Sequence, residues 1–148
     1  MASTLSFSVT FNATVVRVVD GDTIHVQLSN NERKKIRLFG IDAPEIRQRD
    51  GAKSGRYLAV RIGDADVQVV PHDVDPYGRT VAIVFDAFGQ NINAEMVRLG
   101  LAWVYRKYTQ NPEWLVLEQM AKDERIGLWR RKNPLPPWKF RAQNRPKK

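Results

Sequence analysis

The chain has 148 residues and is 43% hydrophobic, which suits one domain with a substantial core. Cysteine is absent, and this excludes disulfides and thiolate metal sites. The start of the chain has neither the charged region nor the apolar run of a signal peptide, and no apolar run approaches the roughly 20 residues of a membrane span. We therefore expect a protein with no membrane partner and no signal peptide in this sequence.

The formal net charge of +8 is concentrated at the C-terminus. Residues 1–129 contain 16 basic and 16 acidic residues, so this part is neutral. Residues 130–148 contain eight basic residues and no acidic one. A basic segment of this kind favours a polyanionic partner. A solvated, partly disordered terminus has the same composition, and both interpretations stay open here.

Three predicted strands open the chain. The first covers residues 7–19, is rich in Val, Thr and Phe, and ends at an Asp-Gly turn. In residues 23–28 apolar and polar positions alternate, which is typical of a half-buried strand. An Asn-Asn turn then leads into a return strand over residues 35–41. Tight turns between consecutive strands predict a meander.

The rest of the chain combines helical and extended patterns. Pro112 and Gly127 have the positions that are typical of the start and the end of a helix. The predicted elements are a helix over residues 51–62, a strand over 66–74, a strand over 79–88, a helix over 93–99 and a helix from 111 to 127. Pro134, Pro136 and Pro137 predict an irregular segment after these elements.

Early hairpins followed by later helices predict an α+β domain of five strands and two or three helices. Five short strands are compatible with a small closed barrel of the OB type, which the pattern alone leaves as one candidate among several. The predicted boundaries are a domain over residues 7–130 and a basic, Pro-containing C-terminal tail over residues 131–148.

Two acidic clusters follow apolar, β-branched runs: Asp20-Gly21-Asp22-Thr23 and Ile41-Asp42-Ala43-Pro44-Glu45. The meander puts Asp22 and Asp42 at strand ends that can meet. Two carboxylates, with a backbone carbonyl and water, suit a hard cation such as calcium. Each aspartate alone is also an ordinary turn residue, and Asp20 either joins the site or serves the Asp-Gly turn.

One acid and two arginines are candidates for catalysis. Glu45 suits a general base beside an ordered water, and it suits equally an acid in the first turn of a helix. Arg37 lies within a strand, and Arg79 follows a tight turn. Guanidinium groups bind phosphate and stabilise charge that develops in a transition state. Each arginine alone is also compatible with an ordinary surface position.

Aromatic residues near basic ones form another candidate site. Tyr105 and Tyr108 lie next to basic residues, and such rings either stack on bases or pack in a core. We expect Trp103 in the core. His25 and His72 have no His or Cys partner at ligand spacing, so we interpret both as structural or exposed.

Four blocks of the chain resemble the staphylococcal nuclease family, and they follow the family's order over about residues 12–130. The blocks run from Val15 to Thr23, from Ile36 to Glu45, from Tyr77 to Ala82 and from Asn93 to Ala102, and the last helix ends at Gly127-Leu128-Trp129. One such block is a weak signal. Four blocks in order, with the acidic and arginine positions present, make the resemblance specific.

The resemblance implies a five-stranded OB-type β-barrel with about three α-helices over the predicted domain. It also implies calcium-dependent hydrolysis of phosphodiester bonds in DNA and RNA, with cleavage of the 5′ P–O bond and 3′-phosphate products. Asp22 and Asp42 look like the calcium carboxylates, and Ala43 would add its backbone carbonyl. We therefore expect a monomer that acts on nucleic acid and needs no protein partner, and that is secreted or periplasmic.

The remaining site residues also follow from the resemblance. Glu45 looks like the base that activates water, and Arg37 and Arg79 look like the arginines on the phosphate. Tyr77 and Tyr108 match aromatic residues near the bound nucleotide.

This chain departs from the family pattern in three places. Ala43 replaces a threonine of the first-studied member, but only its carbonyl is needed for the metal. The segment over residues 46–62 is shorter and lacks a lysine-rich loop, and the basic tail lies outside the resemblance. A catalytically weak or inactive nucleic-acid-binding module is the alternative function, although the presence of the three acids and two arginines favours activity. A third interpretation makes the acidic clusters purely structural.

Overall fold

The computed structural model describes residues 9–146, so the predicted start of the first strand at Phe7 lies outside the described residues. The elements in chain order are β1 (Phe11–Asp20), β2 (Thr23–Gln27), β3 (Arg33–Leu38), β4 (Ile41–Asp42), α1 (Gly51–Ile62), β5 (Asp66–Val74), β6 (Thr80–Phe85), α2 (Ile92–Arg98), β7 (Trp103–Val104), α3 (Pro112–Glu124), a 3-10 turn (Gly127–Arg130) and α4 (Pro137–Gln143). Within residues 9–146 no helix has the length and apolar character to cross a membrane.

Five strands close into a barrel in the order β1-β2-β3-β6-β5. Tight turns join β1 to β2 and β2 to β3, so these neighbours are antiparallel. The barrel closes through a parallel pairing of β3 with β6, in which Arg37 opposes Val81. The α+β class and the five-stranded barrel are thus confirmed. The described residues contain four α-helices, where about three are predicted.

The core follows from the alternation of the strands. Ile24 and Val26 of β2 are fully buried, and so are Ile36 and Leu38 of β3. Each such side chain stabilises the fold by about 1.5–3 kcal/mol through its removal from water. The intervening positions face outward, and this leaves the polar side chains of the same strands free for a surface site.

The predicted strand over residues 35–41 is in fact two strands. Gly40 lies between β3 and β4 with φ of 75°, a backbone conformation that favours glycine. A Cβ at this position would lie 2.8 Å from the Trp114 ring and 2.8 Å from Thr109. After the turn, β4 pairs with β7, and Asp42 lies opposite Trp103. This turn sets the position of the second acidic cluster.

The strand predicted over residues 79–88 ends at Phe85. The Asp86 carboxylate accepts hydrogen bonds of 2.9 Å from the backbone N–H groups of Phe88 and Gln90. These bonds close a turn and end the pairing of β6.

The prediction that three prolines leave the C-terminal segment irregular is wrong for residues 137–143, which form α4. Pro136 caps this helix, and Pro137 occupies its first position. The first N–H groups of a helix have no partner within the helix, so proline loses nothing there, and its fixed φ suits the helix. The division at residues 130 and 131 stays a prediction.

Candidate active site

The ends of β1 and β4 bring the two acidic clusters together. Gly21 allows the close approach, because a Cβ there would lie 2.7 Å from the Ala43 Cβ and 2.8 Å from the Ser54 Cβ. The backbone N–H of Ala43 donates a 2.7 Å hydrogen bond to Oδ2 of Asp22. One cluster therefore holds the other directly, and Asp22 and Asp42 lie in the same site.

The aspartates of this site are buried and repel one another. Asp22 is 5% exposed and Asp42 is fully buried. Burial raises the pKa of Asp42 to about 6; the hydrogen bond from Arg141 opposes this shift, and repulsion from Asp22 adds to it. Burial and the charge of Asp22 raise the pKa of Asp20 to about 7. Crowded carboxylates of this kind favour a proton or a cation nearby.

Asp20 has a local structural role. Its Oδ1 accepts a 3.0 Å hydrogen bond from the backbone N–H of Asp22. This contact shapes the turn that presents Asp22, and so the turn interpretation of Asp20 agrees with the structure.

Arg37 connects both aspartates to the backbone. Its Nη1 donates to the carbonyl oxygens of Leu38 at 2.8 Å and Ile41 at 2.9 Å. Its Nη2 lies 3.3 Å from Oδ1 of Asp42 and 3.4 Å from Oδ2 of Asp22. The guanidinium therefore braces the turn before β4 and offsets part of the negative charge of the site.

Glu45 lies in the loop between β4 and α1. Its backbone N–H donates to Oε1 of Gln48 at 3.1 Å, and α1 begins only at Gly51. The interpretation of Glu45 as an acid in the first turn of a helix is therefore wrong. Its side chain is 37% exposed, so the carboxylate is accessible to water.

Arg141 is a residue of the site that the sequence did not reveal. It lies on α4, and its Nη1 donates 3.0 Å hydrogen bonds to Oδ1 of Asp42 and Oε2 of Glu45. Its Nη2 donates to Oδ2 of Asp42 at 2.7 Å and to the hydroxyl oxygen of Tyr105 at 3.4 Å. The sequence offers no signal for these contacts beyond the basic character of the C-terminal segment.

Comparison with known proteins identifies the family. A sequence profile described as Staphylococcal nuclease homologue matches residues 35–131. The chain belongs to the staphylococcal nuclease family. The resemblance seen in the four sequence blocks is therefore confirmed.

Relatives of this member of the family cover most of its length. A protein of Haemophilus influenzae named Uncharacterized endonuclease is 39% identical over 131 residues, which are 88% of this chain and 73% of that protein. A protein of the same name from Escherichia coli O157:H7 is 41% identical over 127 residues, or 86% and 82% of the two chains. A Micrococcal nuclease of Shigella flexneri is 40% identical over 145 residues, or 91% and 83%.

Arg79 lies immediately before the barrel strand that pairs with the strand of Arg37, and it does not contact the carboxylates of the site. It precedes β6, and its Nε donates to Oδ2 of Asp75 at 2.7 Å. Because Arg37 opposes Val81 and side chains alternate along a strand, Arg79 is on the same face of the sheet as Arg37. The structure therefore joins Asp22, Asp42, Glu45 and Arg37, and leaves Arg79 in a separate ion pair.

The two predicted nucleotide-binding tyrosines are exposed. Tyr77 is 81% exposed, and the Arg79 guanidinium lies 5.6 Å from the centre of its ring. Tyr108 is 58% exposed and packs edge-on against Tyr105, with ring centres 4.9 Å apart. Within residues 9–146, neither tyrosine is a hydrogen-bond partner of Asp22, Asp42 or Glu45. Both rings are accessible to solvent, and Nζ of Lys107 lies 5.5 Å from the centre of the Tyr108 ring.

The oxygen donors of the site suit a hard cation but form only part of its shell. Within residues 9–146 no group of three or more His, Asp or Glu side chains is arranged to hold a metal ion. Asp22 and Asp42 supply two carboxylates, and positively charged nitrogen atoms of Arg141 already lie against both oxygens of Asp42. Calcium takes oxygen ligands and accepts backbone and water oxygens for the rest. The chemistry of the donor set therefore fits calcium.

Proposed function

We propose that the protein is a calcium-dependent nuclease that hydrolyses phosphodiester bonds of DNA and RNA and leaves 3′-phosphate ends. The observation that carries the proposal is the meeting of Asp22, Asp42, Glu45 and Arg37 at one site. The endonuclease and micrococcal nuclease names of the relatives support a nucleic-acid substrate.

In the proposed mechanism, Asp22, Asp42 and the backbone carbonyl of Ala43 would hold the cation. Bound calcium would supply positive charge opposite a phosphate oxygen. Glu45 accepts a proton from water, and the water oxygen forms a bond to phosphorus while the P–O5′ bond breaks. The products are a 3′-phosphate and a 5′-hydroxyl group, whose oxygen takes its proton from solvent.

The arginines have different tasks in this proposal. Arg37 is already fixed by backbone carbonyls, so it can donate to a phosphate oxygen without ordering first. Arg79 exchanges its partner Asp75 for a phosphate oxygen of the substrate. The exposed rings of Tyr77 and Tyr108 suit stacking on bases, which tolerates any sequence.

A nucleic-acid-binding module without cleavage is the second candidate. Its support is the ion pairing of Arg141 with both Asp42 and Glu45, because a base that is held by a guanidinium cannot accept a proton readily. In this candidate the carboxylates hold the C-terminal segment and the basic residues bind phosphate.

Cleavage of end-labelled DNA and RNA oligonucleotides, in calcium and in excess chelator, separates the two candidates. The nuclease proposal predicts cleavage in calcium alone and products whose 3′ ends lose phosphate to a phosphatase. Cleavage that continues in chelator would contradict the calcium dependence. Retarded oligonucleotides that stay intact in calcium would support the binding module.

A further inference from the structure

One guanidinium on the C-terminal helix holds two of the three carboxylates that the proposed function needs. The Arg141 guanidinium binds both oxygens of Asp42, at 3.0 and 2.7 Å, and one oxygen of Glu45 at 3.0 Å. The bidentate geometry is the strong form of this interaction. It uses the oxygens of the proposed metal ligand and of the proposed base at the same time.

The helix that carries Arg141 is docked through aromatic contacts. Trp138 stacks on Tyr105 with ring centres 5.5 Å apart and planes 9° apart. The same indole packs edge-on against Trp103 at 5.4 Å. These contacts supply apolar binding energy that does not depend on the charge of Arg141.

Polar contacts hold the segment that precedes this helix against the rest of the protein. The side-chain amide of Gln48 donates to the carbonyl oxygen of Leu135. Arg131 pairs with Asp50, with Nε 2.9 Å from Oδ2. Gln48 and Asp50 both lie in the loop before α1, and this loop also carries Glu45. The C-terminal segment and this loop therefore contact each other at several points.

A divalent cation and Arg141 compete for the same oxygens. Oδ1 of Asp42 accepts from both Arg141 and Arg37, and Oδ2 accepts from Arg141. A cation on Asp22 and Asp42 would displace these hydrogen bonds and would repel the guanidinium. The cation and the Arg141 guanidinium cannot both bind these oxygens fully. Docking of α4 and binding of the cation therefore oppose each other.

We propose that α4 is an internal latch, in which Arg141 closes the active site until a divalent cation displaces it. The inference rests on the proposed calcium site. Because coupling between two binding events is reciprocal, docked α4 weakens the binding of calcium by the same factor by which bound calcium weakens the docking of α4. The Arg141 guanidinium then keeps Asp42 and Glu45 paired in the absence of the metal.

Calorimetric titration of the full chain with calcium chloride tests the latch. R141A is expected to bind calcium about 5- to 150-fold more tightly than wild type. R145A is the matched control, because it removes the same charge from the same segment at an exposed position, and its affinity should equal that of wild type. W138A keeps the charge but weakens the docking, and should also bind calcium more tightly.

Backbone amide hydrogen exchange of residues 138–143 supplies the second readout. Calcium should speed the exchange of these amides in wild type.

Equal calcium affinity of wild type, R141A and W138A would overturn the latch and leave the proposed function intact, as would slower exchange of α4 in calcium. A loss of cleavage above about 100-fold in R141A at saturating calcium would also overturn it, since Arg141 would then act on substrate. Absence of calcium binding in every variant would overturn the proposed calcium site and the latch with it.

Discussion

Two buried carboxylates on either side of β7 have contrasting partners. Glu118 of α3 is 1% exposed, and its Oε2 accepts a 2.8 Å hydrogen bond from the backbone N–H of Val104. Its Oε1 lies 2.7 Å from Nη2 of Arg106 and 3.4 Å from Nζ of Lys122. A backbone donor cannot leave while β7 stays folded, so Glu118 is fixed as part of the structure.

Asp42 of β4 is equally buried, but its partners can leave. Within the part of the chain that the structure describes, each hydrogen bond to its carboxylate comes from a guanidinium, of Arg37 or of Arg141. Side chains can exchange partners without unfolding of a strand. Burial therefore does not distinguish the two carboxylates, whereas the partners of Asp42 can be exchanged for a cation, as the proposed calcium site requires.

The largest expected effect comes from Glu45, the acid that shares a hydrogen bond from Arg141 with Asp42. E45Q should lower the rate of DNA cleavage by about 100- to 10,000-fold, because an amide cannot accept the proton of water. E113Q is the matched control, since Glu113 is exposed at the start of α3. Single-turnover cleavage in calcium measures the effect, and an E45Q rate equal to that of E113Q would exclude Glu45 as the base.

Arg79 tests whether an ion pair that can exchange its partner for substrate also contributes to activity outside the carboxylate cluster. R79A should lower kcat by about 100- to 1,000-fold, the range for loss of one group that stabilises transition-state charge. R98A is the control, because Arg98 also pairs with a carboxylate, at 2.9 Å from Glu124, on another surface. If both variants have the same kcat, Arg79 has only a structural role.

Glu118 should show the opposite behaviour to Glu45. E118Q should lower the free energy of unfolding by about 1–3 kcal/mol, since a buried charged hydrogen bond to Arg106 is lost. Its kcat should stay within about threefold of wild type at a temperature where both are folded. E124Q, at the exposed pair with Arg98, should cost less than about 1 kcal/mol. Urea unfolding measures these differences, and an E118Q loss no larger than that of E124Q would refute the comparison.

The smallest effect concerns Asp50, which holds the start of the C-terminal segment. The hydrogen bond from Arg131 lowers the pKa of Asp50, so the pair stabilises the fold above the ordinary carboxyl value of about 4 and is lost as the pH falls through the lowered pKa. D50N should therefore cost about 0.5–1 kcal/mol near neutral pH and progressively less in acid. Asn also accepts the positive φ of this position. Urea unfolding of wild type and D50N at several pH values measures this difference in the free energy of unfolding. A difference that grows as the pH falls would contradict the prediction.

Local signals in the sequence predict the regular parts of the fold. The helix over residues 51–62 and the strand over residues 66–74 have the predicted bounds, because turns with strong residue preferences end both elements. The turn after the strand contains Asp75, whose carboxylate accepts the backbone N–H groups of Tyr77 and Arg79. Such short-range hydrogen bonds depend only on neighbouring residues, so a sequence pattern can reveal them.

Contacts between distant segments account for what the sequence did not predict. β4 and β7 have two residues each and exist only because they pair with each other. Arg141 reaches Asp42 across 99 residues, and it depends on a helix that begins at a proline. The meeting of Asp22 with Asp42 was predictable because each follows closely after a strand of one meander, β1 or β3, whereas nothing local to residues 137–143 indicates where that helix docks.

The most direct test of the active site is the cleavage rate of D42N, with its free energy of unfolding measured on the same preparation. We expect D42N to stay folded in calcium and to cleave DNA at least about 100-fold more slowly than wild type. E118Q measured beside it should show the reverse, a normal rate with a lower free energy of unfolding. A folded D42N that cleaves DNA within about threefold of the wild-type rate would contradict the assignment of Asp42 to the active site.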